Sequence, residues 1–179
     1  MKLQYFPLIL LVLISAACFR PKETTGAQVD HAKFEPVYRA AKSIQAAISV
    51  GLNYQKMGEL LQNFATEILI AKDKAESDME RLLVARYGEA LPIFKDSLAL
   101  WNEQIDSSKY EWLKGYLVCE GDVAVIAGKY KLQKEEKDLA GVGRKLPVIP
   151  VSSVQALWLQ ADLKLQEGNK IYNAKIGQK

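Results

Sequence analysis

Tyr54, Met57, Leu61, Phe64, Ile68, Ala71 and Ala75 recur at spacings of 3, 4, 3, 4, 3 and 4 residues. That period is the mark of a helix with one apolar seam, and such a seam needs a covering helix to be stable in water. Lys56, Glu59, Asn63 and Lys74 fall off the seam, so the helix is amphipathic and packs on one side only. A chain with this element is committed to helix-on-helix packing.

The flanking segments extend the pattern. Pro36 suits the first position of a preceding helix, with Val37, Ala41, Ile44 and Ile48 on its stripe and Gly51 at its end. Ser77-Asp78-Met79-Glu80 is a capping box, in which hydroxyl and carboxylate satisfy the orphan amides that open a helix. Leu83, Tyr87, Ala90, Phe94, Leu98, Trp101 and Ile105 follow at helical spacing, and Pro92 predicts a kink among them. Ser108-Lys109-Tyr110-Glu111 repeats the box and predicts a short fourth helix carrying Tyr110, Leu113 and Leu117. Ser152-Ser153-Val154-Gln155 opens a last helix with Val154, Leu157, Ala161, Leu165 and Tyr172 on its stripe.

Residues 117–132 read either as a hairpin turning at Glu120-Gly121-Asp122 or as a helix capped by Asp122. Helix is the expectation, because an isolated two-stranded hairpin is marginal in water. Leu139 to Pro150, with its Gly and Pro residues, reads as a loop. The expected fold is all-α, an antiparallel bundle of four to five helices over residues 34–176.

With 49% hydrophobic and 25% charged residues, the chain has the balance of a globular protein. A net charge of +3 is too small to imply a nucleic-acid partner. His31 is the single histidine, which leaves a Ser-His-Asp triad, a Cys-His pair or a two-histidine metal site without material. Bundle di-iron centres use Glu-x-x-His pairs, and none occurs; nor does the Cys-x-x-Cys-His of attached haem. Met57 reads as core rather than as a haem ligand partnered by His31. No cofactor and no metal are therefore expected, and the chain reads as non-enzymatic.

Other clusters have plain structural readings. Glu59, Glu67, Asp73, Glu76 and Asp78 are interleaved with Lys56, Lys72 and Lys74, as on a solvated surface, so a carboxylate hydrolase ranks last among the functions considered. Gly141-Val142-Gly143-Arg144-Lys145 lacks phosphate-loop spacing and leads into Pro147, so it is a loop. Lys129, Lys131, Lys134 and Lys137, with Glu135, Glu136 and Asp138, read as a solvated helix end. Trp101, Tyr110, Trp112, Tyr116 and Trp158 are the one constellation with the chemistry of a ligand groove, since indole and phenol rings stack on a ligand and offer a polar tip. The competing reading places them in core and helix junctions.

At the N-terminus, Lys2 precedes an apolar run that reaches Ala17 from Phe6, twelve residues where a spanning helix needs roughly 20. Ser15-Ala16-Ala17 then leads into Cys18. This pattern resembles the lipobox of bacterial lipoproteins, although Ser15 stands where the family usually has an aliphatic residue. The resemblance implies that residues 1–17 are a signal peptide, that Cys18 is acylated with palmitate-type chains, and that residues 18–33 form a lipidated flexible tether. Phe19, rather than Asp, after the cysteine is similar to sorting to the outer membrane, facing the periplasm, in a diderm organism. Simple secretion is the alternative, since Ser15 and Ala17 also satisfy ordinary signal cleavage.

A second resemblance covers Tyr87 to Leu100, which is similar to half a tetratricopeptide repeat. No copy stands at a period of about 34 residues, and Pro92 departs from the pattern, so a helical repeat is the alternative fold. The function expected is that of a lipid-anchored cell-envelope protein whose helical domain binds a partner protein or supports an envelope assembly. The alternative is a binding module for a small amphipathic ligand, a lipid, glycan or peptide, held by the aromatic groove.

Overall fold

The computed structural model describes residues 28–51, 53–138 and 143–174. The expected signal peptide, Cys18 and most of the expected tether lie outside the described residues. Five α-helices carry the fold: α1 (His31–Val50), α2 (Tyr54–Lys74), α3 (Asp78–Ser107), α4 (Gly121–Lys129) and α5 (Ser152–Tyr172). Strands β1 (Tyr116–Val118), β2 (Glu135–Asp138) and β3 (Lys145–Pro150) form a small antiparallel sheet in the order β1-β3-β2.

The long helices α1, α2, α3 and α5 close into an up-down-up-down ring, with α3 packed on both α2 and α5 and α1 on both α2 and α5. The predicted seam of α2 is buried at Met57, Leu61, Phe64, Ile68 and Ala71. It meets Phe34, Val37, Ala41 and Ile44 of α1 and Leu83, Tyr87, Ala90 and Phe94 of α3 in one continuous core. The segment resembling half a tetratricopeptide repeat is the middle of α3, and its Tyr87 packs directly on Gly168 of α5.

Several expectations are corrected. The first helix opens at His31, not at Pro36, because the Asp30 carboxylate accepts from the Lys33 amide 3.2 Å away and caps it. Val29 and Phe34 are buried, so the last residues assigned to the tether belong to the domain. Pro36 sits inside α1, where it frees only the Ala32 carbonyl. Pro92 lies inside α3, which continues as one helix from Asp78 to Ser107, and its missing amide makes no bond to the Gly88 carbonyl.

The second capping box makes no fourth helix. Glu111–Leu113 is a single 3-10 turn, and Leu117 sits on β1. Region 117–132 is half of each alternative: β1 pairs not with its sequence neighbour but with β3, while Gly121–Lys129 is helical. Residues 145–150, expected in a loop, form the central strand, with Leu117 paired to Ile149 and Lys137 to Leu146. Of the lysine run, Lys129 ends α4, whereas Lys137 lies on the charged edge strand β2 and pairs with Glu135 at 3.0 Å. The sheet survives because its Leu117–Ile149 face joins the main core, while Leu146 and Val148 pack under Leu113 on the other.

Candidate functional site

The four-helix ring has two unlike poles, separated by the length of α1, about 30 Å at 1.5 Å per residue. At one pole the N-terminal segment enters the fold. There the Glu80 carboxylate, almost fully buried, accepts from the amides of Glu76 at 2.9 Å, Ser77 at 3.0 Å and Asp30 at 3.4 Å. Burial pushes this carboxyl up, but those amides and the Lys33 ammonium, 3.8 Å away, outweigh it and hold it below the usual range. One side chain thereby pins the start of α1 to the α2–α3 turn.

The opposite pole gathers the ends of α1 and α3, the start of α5 and the sheet. A recess of about 460 Å³ opens there, lined by Ile48 and Gly51 from α1, Trp101 and Gln104 from α3, and Val151, Ser152, Val154, Gln155 and Trp158 around the first turns of α5. Its volume lies within the ~300–1,000 Å³ of small-molecule sites. The two indoles meet at 81° with ring centroids 5.2 Å apart, and Tyr54 abuts Trp101 at 5.8 Å. Among the described residues no charged side chain lines it. The Trp158 Nε1 donor is buried without a hydrogen-bond partner.

A second recess, of about 240 Å³, adjoins the first through the shared residues Gln104 and Val151 and is lined by Tyr110, Leu113 and Tyr116 among others. Tyr110 leans on Trp112 at 5.6 Å, with Lys109 Nζ over its ring at 5.3 Å. Tyr110 and Trp112 are 45% and 37% exposed, high for such large rings. A further concavity beside Tyr110 is rimmed, among the described residues, by the acids Glu103, Asp106, Glu120 and Asp122 and one cation, Lys109.

The five aromatic residues singled out in the sequence therefore fall into two neighbouring groups, Trp101 with Trp158, and Tyr110 with Trp112 and Tyr116. Sequence reasoning missed Gln104, Ser152 and Gln155 as site residues; the only signal was that Gln104 and Gln155 lie about one turn from Trp101 and Trp158, with Ser152 a turn further on. The expected Ser152-to-Gln155 cap is not formed; Val151 precedes α5 with no side-chain cap, so Ser152 and Gln155 are left on the rim of the recess.

Chemistry elsewhere is structural. Met57 is fully buried in the core. His31 is the first residue of α1 and stacks on Tyr172, which also stacks on Tyr38. Glu59 pairs with Lys56 and Asp78 with Arg81 on exposed helix faces. Asp96 accepts from Lys129 at 2.6 Å and from the Tyr130 hydroxyl at 2.7 Å, docking α4 on α3. Cys119 is buried, and burial pushes its thiol up. Across the α1–α5 seam the Tyr87 hydroxyl donates to Asn169, Asn169 donates to Gln45, and Gln45 donates to Asp162, at 2.8, 2.8 and 2.5 Å. Among the described residues no group of three or more His, Cys, Asp or Glu is placed to hold a metal ion, and no helix is long and apolar enough to cross a membrane. The chain matches no protein-family model, no curated protein and no solved structure.

Proposed function

We propose that this is a non-enzymatic envelope protein, tethered by a lipid on Cys18, whose helical domain docks a partner protein at the pole carrying Tyr110 and Trp112. The observation that supports this reading is the exposure of those two rings at the end of the bundle remote from where the N-terminal segment joins. Exposed aromatic side chains surrounded by charge are what a docking anchor looks like before its partner arrives. The acids Glu103, Asp106, Glu120 and Asp122 around Tyr110 give the partner's chemistry: an apolar centre with a basic rim. A tether at the opposite pole holds the docking surface about 30 Å or more from the membrane.

The test is site-specific photocrosslinking in cells. A photoreactive residue at Trp112 should trap one discrete protein adduct, whose yield falls as ionic strength rises in spheroplasts. The same probe at Leu69, exposed on α2, should trap none. Equal adducts at both positions, or none at Trp112, would refute docking at this pole.

A further inference from the structure

We infer that the recess between Trp101 and Trp158 is a binding site for a neutral, acetamido-bearing saccharide. This goes beyond partner docking at Tyr110 and Trp112 and does not depend on it. Among the described residues the recess is lined by two indoles, three neutral hydrogen-bonding side chains and aliphatic side chains, with no charged group. An anionic headgroup or phosphate would find no cationic partner among the described lining residues. A saturated hydrocarbon chain would instead strand Gln104, Ser152 and Gln155. A pyranose matches both demands, since its C–H face covers an aromatic ring while its rim of hydroxyls needs neutral donors and acceptors.

The acetamido group follows from the polar set. Gln104 and Gln155 each offer a carbonyl and an amide N–H, which pair with the N–H and C=O of a second amide. Trp158 Nε1 is a donor with no acceptor, and the neighbouring Trp101 ring, at 81°, offers it no more than a π face. As Trp158 lines the recess, this unpartnered donor is the one that an acceptor oxygen of a bound ligand would satisfy. The perpendicular rings form a corner in which the sugar face rests on one indole and the acetyl methyl group on the other.

The experiment is a tryptophan-fluorescence titration of the folded domain with chitotriose, with cellotriose, trialanine and phosphatidylglycerol vesicles as comparison probes. Saturable quenching by chitotriose, at least about tenfold weaker with cellotriose and absent with the other two, is the expected result. Trp158→Phe keeps a ring but removes the N–H. It should weaken chitotriose binding about tenfold while leaving stability unchanged or higher, because it deletes a buried unpaired donor. Gln155→Ala, at an exposed position, should weaken binding without touching the fold. Flat chitotriose titrations, tighter binding of peptide or vesicles, or wild-type affinity in both variants would each overturn the site. Crosslinking at Trp112 reads the docking surface separately, so either proposal can fail alone.

Discussion

Gly168 stands where α5 crosses α3, and a Cβ built on it would lie 2.3 Å from Cε1, 2.6 Å from Cδ1 and 3.0 Å from Cζ of Tyr87. The Tyr87 ring has nowhere to withdraw. It is fully buried, Phe64 abuts it edge-on at 5.7 Å, and its hydroxyl is tied to Asn169 at 2.8 Å. Gly168→Ala would ordinarily gain up to ~1 kcal/mol of helix propensity. Here that gain is opposed by overpacking of ~1–3 kcal/mol and by a weakened hydrogen bond worth ~0.5–1.5 kcal/mol. The net expectation is a loss of ~1–3 kcal/mol.

Gly88, the next residue after Tyr87, has nothing within 4 Å of its would-be Cβ, so Gly88→Ala should instead gain ~0.5–1 kcal/mol. Urea unfolding of the two variants, with unchanged m-values, reads the difference directly. Opposite signs are required. If Gly168→Ala matches or exceeds wild-type stability, the close packing of α3 on α5 described here is wrong.

Three further outcomes follow from buried groups. Glu80 is held below its ordinary value in the fold, so its contribution to stability is present above the unfolded value near 4.5 and is lost as pH falls through the lower folded value; acid titrations of unfolding free energy should show that slope flattened in Glu80→Gln, and identical slopes would count against the carboxylate clamp. Cys119, buried and with its thiol pushed up, should resist a thiol-specific reagent at neutral pH in the native domain and react on unfolding; rapid native labelling would contradict its placement. Tyr87→Phe strands the Asn169 carbonyl and should cost ~1–3 kcal/mol of stability, with native secondary structure by circular dichroism; a neutral effect would show that the polar ladder across α1 and α5 is not coupled to α3.

Where the apolar period was long, as in α2, the sequence located the buried seam; in α3 the seam is buried from Leu83 to Phe94, but Leu98 and Trp101 are only half-buried and Ile105, at its end, is exposed. The region after Ser108 misled for a physical reason. Its capping box is local, but Leu117 and Ile149 bury their side chains together across 32 residues of chain, and that pairing outweighs local helical signals. Similarly Leu146-Pro147-Val148 reads as loop by its prolines, yet Pro147 stands in register with Glu136 in the middle of the sheet. At the site, the indoles were legible as chemistry but not as neighbours. Trp101 and Trp158 meet because α3 and α5 run antiparallel, which no spacing between them encodes. Gln104 and Gln155 became visible only through that meeting.

A module that binds by its free pole needs an anchor at the other, and in the proposed function that anchor is Cys18. Intact-mass spectrometry of the protein purified from membranes tests it most directly. The prediction is a chain whose first residue is Cys18, carrying the added mass of a diacylglyceryl group and acyl chains. A chain beginning at an unmodified Cys18, or one retaining residues 1–17, would contradict the lipid anchor and with it the orientation proposed for the docking pole.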